Sequence, residues 1–309
     1  MNKAIEKLAE NIEKVIVGKR EVIENVIAAM LCDGHILLED VPGVGKTQLV
    51  SALAKSVDGK FNRIQLTPDI MPSDIVGFSM LDKETGEFQY RSGAAMCNFL
   101  LADEINRASP KAQSSLLEVM EEHQISLDGK TFELPKPFMT LATQNPVETY
   151  GTYHLPEAQM DRFIIKISIG YPAKSDELEI LSRSETGKSA SALTAVMTTE
   201  DILELQKKVN EVKACDAVRD YILNLVAATR ENEFIKLGAS PRGSIALLRM
   251  AKAKAFIADR SYVTPDDVKG VLTSVLAHRI ILSPKGKSKF ETQEQAIEHI
   301  ASFVKVPVI

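Results

Sequence analysis

The residues best placed for chemistry begin at Leu37, where a short apolar strand runs straight into a glycine-rich turn, Leu-Leu-Glu-Asp-Val-Pro-Gly-Val-Gly-Lys-Thr47. Gly43 and Gly45 reach backbone angles closed to other residues, so successive N–H groups can converge on phosphate oxygens. A helix starting at Thr47 adds its N-terminal dipole. Lys46 is then a compact cation for the β- and γ-phosphates of a triphosphate, and the Thr47 hydroxyl is a ligand for Mg²⁺. Asp40 stands where the usual spacing, Gly-x-x-x-x-Gly-Lys-Ser/Thr, has its first glycine. A plain strand-turn-helix junction with a surface lysine would read the same in isolation, so the rest of the chain must decide.

Cleaving a γ-phosphate also needs a carboxylate to orient and deprotonate water, a metal-binding carboxylate, and cations for the charge that spreads onto the equatorial oxygens. Phe99-Leu-Leu-Ala ends in Asp103 and Glu104. Adjacent residues leaving a strand point different ways, so Asp103 can serve the Mg²⁺ shell and Glu104 can act as general base. Asn145, in Thr143-Gln-Asn-Pro146, can polarise the attacking water or touch the γ-phosphate; it also reads as a turn residue before proline. Arg162 precedes an apolar strand, where a surface ion pair is the plainer reading. Arg242 follows Ser240-Pro241 at a helix start. A cation there does not help the helix dipole, which favours a ligand role.

The elements that must position these groups fall into two regions. Leu37 onward, Phe61 to Leu66, Phe99 to Ala102, Phe138 to Thr143 and Phe163 to Ile169 read as strands. The helices Thr47 to Val57 and Pro110 to Gln124 alternate with them, a pattern that predicts a parallel sheet covered on both faces. Met1 to Gly18 reads as an amphipathic surface helix, and a second helix runs through Met30. Thr67 to Asn98 reads as an insertion around an Asp82 to Gly86 turn, with Met71, Phe78 and Met80 exposed. Ile125 to Leu134 alternates about Asp128-Gly129, a hairpin signal. At Gly170 to Lys174 the pattern changes, and helices are expected afterwards over Ile202 to Val212, Ala217 to Arg230, Ser244 to Ile257, Pro265 to Leu276 and Glu294 to Val304, with a polar loop over 182–195. The expected division is an α/β domain, 1–171, and a small all-α domain, 172–309.

Length and composition agree with two cores: 309 residues, 45% hydrophobic and 26% charged. A net charge of −5 gives no overall basic field to recruit nucleic acid or an anionic membrane. Cys32, Cys97 and Cys215 have no metal-ligand spacing and read as core thiols of a reducing compartment. With no signal peptide and no apolar run of membrane-spanning length, a cytoplasmic location is expected.

Taken together, Val41-Pro-Gly-Val-Gly-Lys-Thr47, Phe99-Leu-Leu-Ala-Asp-Glu-Ile-Asn-Arg-Ala108, Ala142-Thr-Gln-Asn-Pro146, Glu157-Ala-Gln-Met-Asp-Arg-Phe163 and Ser240-Pro-Arg242 resemble the AAA+ ATPases, specifically the MoxR group, over nearly the whole chain. The resemblance implies an AAA+ P-loop domain with a parallel five-stranded sheet between helices, followed by a helical lid. It implies Walker A at Gly43 to Thr47, with Pro42, Val44 and Gln48 in the same nucleotide-binding set. Walker B falls at Asp103 and Glu104, sensor 1 at Asn145, the arginine finger at Arg162 and sensor 2 at Arg242, with Val17 and Gly18 near the adenine. The segment 67–98 would hold a helix-2 insert and 125–134 a pre-sensor hairpin.

The expected protein is an ATP-hydrolysing ring, usually a hexamer, that matures or activates partner proteins, often beside one with a von Willebrand factor A domain. Its lid would close over ATP and Mg²⁺, and Arg162 would complete a neighbour's site. A chelatase-like motor subunit driving metal insertion shares the insert and the hairpin. A DNA-dependent motor is disfavoured because Lys130 and Lys136 are accompanied by Asp128 and Glu133. A scaffold that binds nucleotide without turnover is disfavoured by an intact Glu104.

Overall fold

A computed structural model describes residues 1–84, 86–145, 152–185 and 193–308. Asn2 caps α1 (Lys3–Glu13) by accepting the Ala4 N–H at 3.1 Å, and the apolar face of that helix, Ile5, Leu8 and Ile12, is fully buried. The chain continues through α2 (Arg20–Leu31), β1 (His35–Glu39), α3 (Lys46–Ser56) and β2 (Phe61–Gln65). The segment 67–98 holds α4 (Pro72–Val76) and an antiparallel hairpin, β3 (Gly77–Leu81) with β4 (Phe88–Ser92), and it exposes Met71, Phe78 and Met80 as expected. Next come β5 (Phe99–Asp103), α5 (Pro110–Glu122) and a second hairpin, β6 (Gln124–Leu127) with β7 (Lys130–Glu133). Its turn places Asp128 and Gly129 at φ of 51° and 73°, both left-handed, as a two-residue hairpin turn of matching twist requires. Then follow β8 (Met139–Gln144), α6 (Glu157–Met160) and β9 (Phe163–Ile167).

Five of these strands form one parallel sheet in the order β2-β5-β8-β1-β9. Successive side chains on a strand face opposite ways, and the core records it. Ile36, Leu38, Leu101 and Leu141 join one apolar cluster, whereas Leu37, Leu100, Ala102 and Ala142 join another. Burial on both faces is why β1, β5, β8 and β9 read as apolar runs and not as alternating ones.

Beyond the sheet lie α7 (Lys174–Glu185), α8 (Thr199–Glu211), α9 (Asp216–Glu231), β10 (Ile235–Leu237), α10 (Pro241–Ile257), α11 (Pro265–Lys269), α12 (Leu272–Leu276), β11 (Ile281–Leu282), α13 (Pro284–Lys289) and α14 (Gln293–Ala301). Three features depart from the sequence expectation. A short antiparallel pair, β10 with β11, interrupts the helices; strands this brief carry no readable period. The helix expected over Pro265 to Leu276 is two, parted at Gly270-Val271, where glycine weakens the helical run. The polar loop expected over 182–195 starts late because α7 continues to Glu185; Leu178, Ile180 and Leu181 of α7 are exposed, so no buried face announced it. Residues 186–192 of that loop, Thr85 of the Asp82 to Gly86 turn and Pro146 lie outside the described residues.

The first apolar cluster runs from α1, α2 and α3 into α8, α9, α10 and α14, so the helical region and the sheet share a core. Cys32 and Cys97 are buried, and burial pushes both thiols up to about 12, leaving them inert. Cys215, expected in the core, is exposed instead, at the N-cap position of α9. No helix among the described residues is long and apolar enough to cross a membrane.

Candidate functional site

Parallel neighbours end at one edge of a sheet, so β1, β5 and β8 deliver their C-terminal residues side by side. The turn after β1 holds Gly43 and Gly45 at φ of +88° and +95°, and Gly45 is the residue from which α3 starts. A Cβ on Gly43 would meet no protein atom within 4 Å, so the loop backbone borders open space that a ligand can approach. Lys46 Nζ donates to two carbonyls of its own loop, Asp40 at 3.0 Å and Val41 at 3.4 Å. A cavity of about 340 Å³ opens here, bounded by Lys46, Thr47, Asp103, Glu104, Asn145 and Arg63, with Pro42 and Gln48 at its margin.

The acidic pair is held by its neighbours. Asp103, buried, accepts the Thr143 hydroxyl at 3.2 Å and Arg63 Nε at 2.7 Å. Thr143 also accepts the Glu104 N–H at 2.9 Å. Glu104 itself sits at φ 58°, ψ 51°, a left-handed conformation that costs a non-glycine residue about 1 kcal/mol and turns the two carboxylates apart. Its Oε2 accepts Gln65 Nε2 at 2.7 Å and lies 3.3 Å from Arg107 Nε. Arg63 and Gln65 escaped the sequence reading. They reach the site because β2 pairs with β5 in a register that sets Gln65 opposite Asp103 and Arg63 opposite Leu101. Their polar character within a short strand was the available signal.

Asp40 has a structural task that glycine could not perform. Its carboxylate accepts the Ser168 hydroxyl at 2.7 Å and the N–H groups of Ile169 and Gly170 at 2.6 and 3.0 Å. The phosphate loop is thereby tied to the end of β9 and the chain leading to α7. A second cavity, about 620 Å³, shares Gly43, Gly45 and Gln48 with the first and is lined by Val17, Val44 and Ile169. Gly18 is at φ +68°, and a Cβ on it would overlap the Asp176 carboxylate of α7. Close approach therefore demands glycine beside Val17.

Arg162 and Arg242 line neither of these cavities. They border a third, about 240 Å³, with Glu121 and His35. Arg162 donates to the Leu117 carbonyl at 2.7 Å, and both arginines contact the Glu121 carboxylate. Asp161 fixes this corner by accepting the Ser240 hydroxyl at 2.7 Å and Arg279 Nε at 2.8 Å, which joins the start of α10 to the start of β9. Packing of α10 against α2 and the shared core hold Arg242 beside Arg162.

The donor set fits a nucleotide with its cation: a lysine, a hydroxyl and a carboxylate around a glycine-lined turn. Among the described residues no three His, Cys, Asp or Glu side chains form a metal cage, so a cation here would share its shell with phosphate oxygens, as Mg²⁺ does.

Comparison with known proteins agrees. Residues 35–165 match the model of the ATPase family associated with various cellular activities (AAA), and residues 227–300 match an AAA lid domain. The chain is 49% identical to the uncharacterised protein YeaC of Bacillus subtilis, covering 98% of this chain and 94% of that one. It is 40% identical to the chaperone MoxR1 of Mycobacterium tuberculosis, covering 99% and 83%. A crystal structure of a candidate ATPase from Cytophaga hutchinsonii superposes with a TM-score of 0.92 at 41% identity, covering 99% of this chain and 96% of the other. Sequence, sheet order and site thus converge, and the chain belongs to the MoxR family of AAA+ ATPases.

Proposed function

We propose that this protein hydrolyses ATP to ADP and phosphate within a ring of its own copies, a hexamer by family resemblance, and uses the cycle to remodel or mature partner proteins. The observation that carries the reading is the meeting of Lys46, Thr47, Asp103, Glu104 and Asn145 around one cavity. In this reading residues 1–171 bind the nucleotide and 172–309 form the lid.

Backbone N–H groups of 43–47 and Lys46 hold the phosphates, while Val17, Gly18 and Val44 flank the base. Thr47 and Asp103 hold Mg²⁺, which neutralises charge on the phosphate oxygens when bound. Glu104 takes the proton from water, and Asn145 orients that water. Arg162 and Arg242, away from their own phosphate loop, serve the neighbouring subunit's site. The relative named as a chaperone supports protein clients. A von Willebrand factor A domain protein as one such client and a cytoplasmic setting belong to the same proposal.

The test is Glu104→Gln, which keeps the shape and removes the proton acceptor. ATP affinity by calorimetry should hold while turnover falls roughly 10²- to 10⁴-fold. Lys46→Ala should instead lose most affinity. Wild-type turnover in Glu104→Gln would remove the assigned base.

A further inference from the structure

The two arginines assigned to a neighbour's site share one partner. Glu121, in the last turn of α5, gives one oxygen to each: Oε1 lies 2.6 Å from Arg242 Nη2 and Oε2 lies 3.0 Å from Arg162 Nη2. Among the described residues Arg162 is otherwise held at one end, through Nη1 to Leu117, and its buried Nε has no hydrogen-bond partner there. Arg242 stands at the start of α10, where the helix dipole repels a cation, and 53% of its side chain is exposed. Without a carboxylate between them, two guanidiniums at this spacing repel and splay apart.

We infer that Glu121 is a positioning residue for hydrolysis in the adjacent subunit, holding Arg162 and Arg242 as one preformed anion-binding pair. This rests on the proposal that the arginines act in trans. Each guanidinium meets Glu121 through its Nη2, a charge-assisted contact that keeps that end of the group beside its neighbour. The carboxylate does not touch the reacting atoms; it acts through the arginines.

A mixed assembly tests the role. Glu104→Gln subunits cannot hydrolyse but keep both arginines, whereas Arg162→Ala subunits keep Glu104 and lack the finger. Together they should regain activity that neither has alone. Adding Glu121→Ala to the Glu104→Gln subunit should lower that regained rate roughly ten- to a hundredfold, the scale of losing alignment by about an ångström. Adding it to the Arg162→Ala subunit should leave the rate unchanged. Glu121→Gln, which keeps an acceptor but no charge, should fall between, and ATP affinity should stay constant throughout. An equal loss from either subunit, no loss, a gain, or glutamine matching glutamate would overturn the assignment. No regained activity in the starting mixture would instead overturn the trans reading beneath it.

Discussion

Gln65 donates its side-chain amide to Glu104 across 2.7 Å, reaching from the edge strand β2 to the turn that follows β5. The carboxylate proposed as general base is therefore oriented by a residue outside the acidic motif, with Arg107 on the same oxygen. Gln65→Ala should lower turnover by about tenfold, the effect of loosening a positioned base, while ATP affinity stays unchanged. Steady-state kinetics beside calorimetry check this, and unchanged turnover would show that Glu104 is held by other means.

Placing glycine at position 40 should weaken the protein. Asp40→Gly strands the Ile169 and Gly170 N–H groups at a buried site, a loss of roughly 1–3 kcal/mol. Thermal denaturation should show a lower midpoint. A midpoint at or above that of the wild type would mean that Asp40 contributes no anchoring.

Much of the site was legible because its signals are local. The phosphate loop and the Asp128-Gly129 turn are dictated by residues within a few positions of each other, and the Asp103-Glu104 pair by its place at a strand end. Arg63 and Gln65 were not legible, because their role depends on the β2 to β5 register, which no spacing reveals. Glu121 sits among Glu118 and Glu122 on one helix, and only the fold shows which of these meets the arginines. The position of Arg242 depended on how α10 packs, a tertiary fact. The role of Asp40 depended on β9 lying beside β1.

Stability should fall on mild acidification. Burial lowers the His35 ring to about 4, against the hydrogen bond that Nε2 gives the Met120 carbonyl, and Nδ1 accepts the Thr140 N–H, a bond that a second proton would break. His278 is lowered well below its ordinary value, first by burial and then by Arg279. The unfolded chain protonates these rings near pH 6.5 while the fold keeps them neutral down to about 4 for His35, so below about 6.5 the unfolded state binds more protons. Each contribution is whole above that pH and shrinks as pH falls, by about 1.4 kcal/mol per unit per ring. Denaturation midpoints taken from pH 7 to pH 5 should decline, and His35→Gln should decline less steeply. A flat profile would contradict the neutral, buried assignment.

The central claim is that one chain's Glu104 works with another chain's Arg162. Glu104→Gln and Arg162→Ala should each be nearly inactive alone, since an arginine supplied in trans is worth roughly 10³ to 10⁵ in rate. Mixed in varying ratio, they should regain hydrolysis with a maximum at intermediate composition, because some interfaces then join an intact Glu104 to an intact Arg162. If mixed assemblies form and the rate at every ratio is only the weighted sum of the two variants, Arg162 serves its own chain and the claim is contradicted.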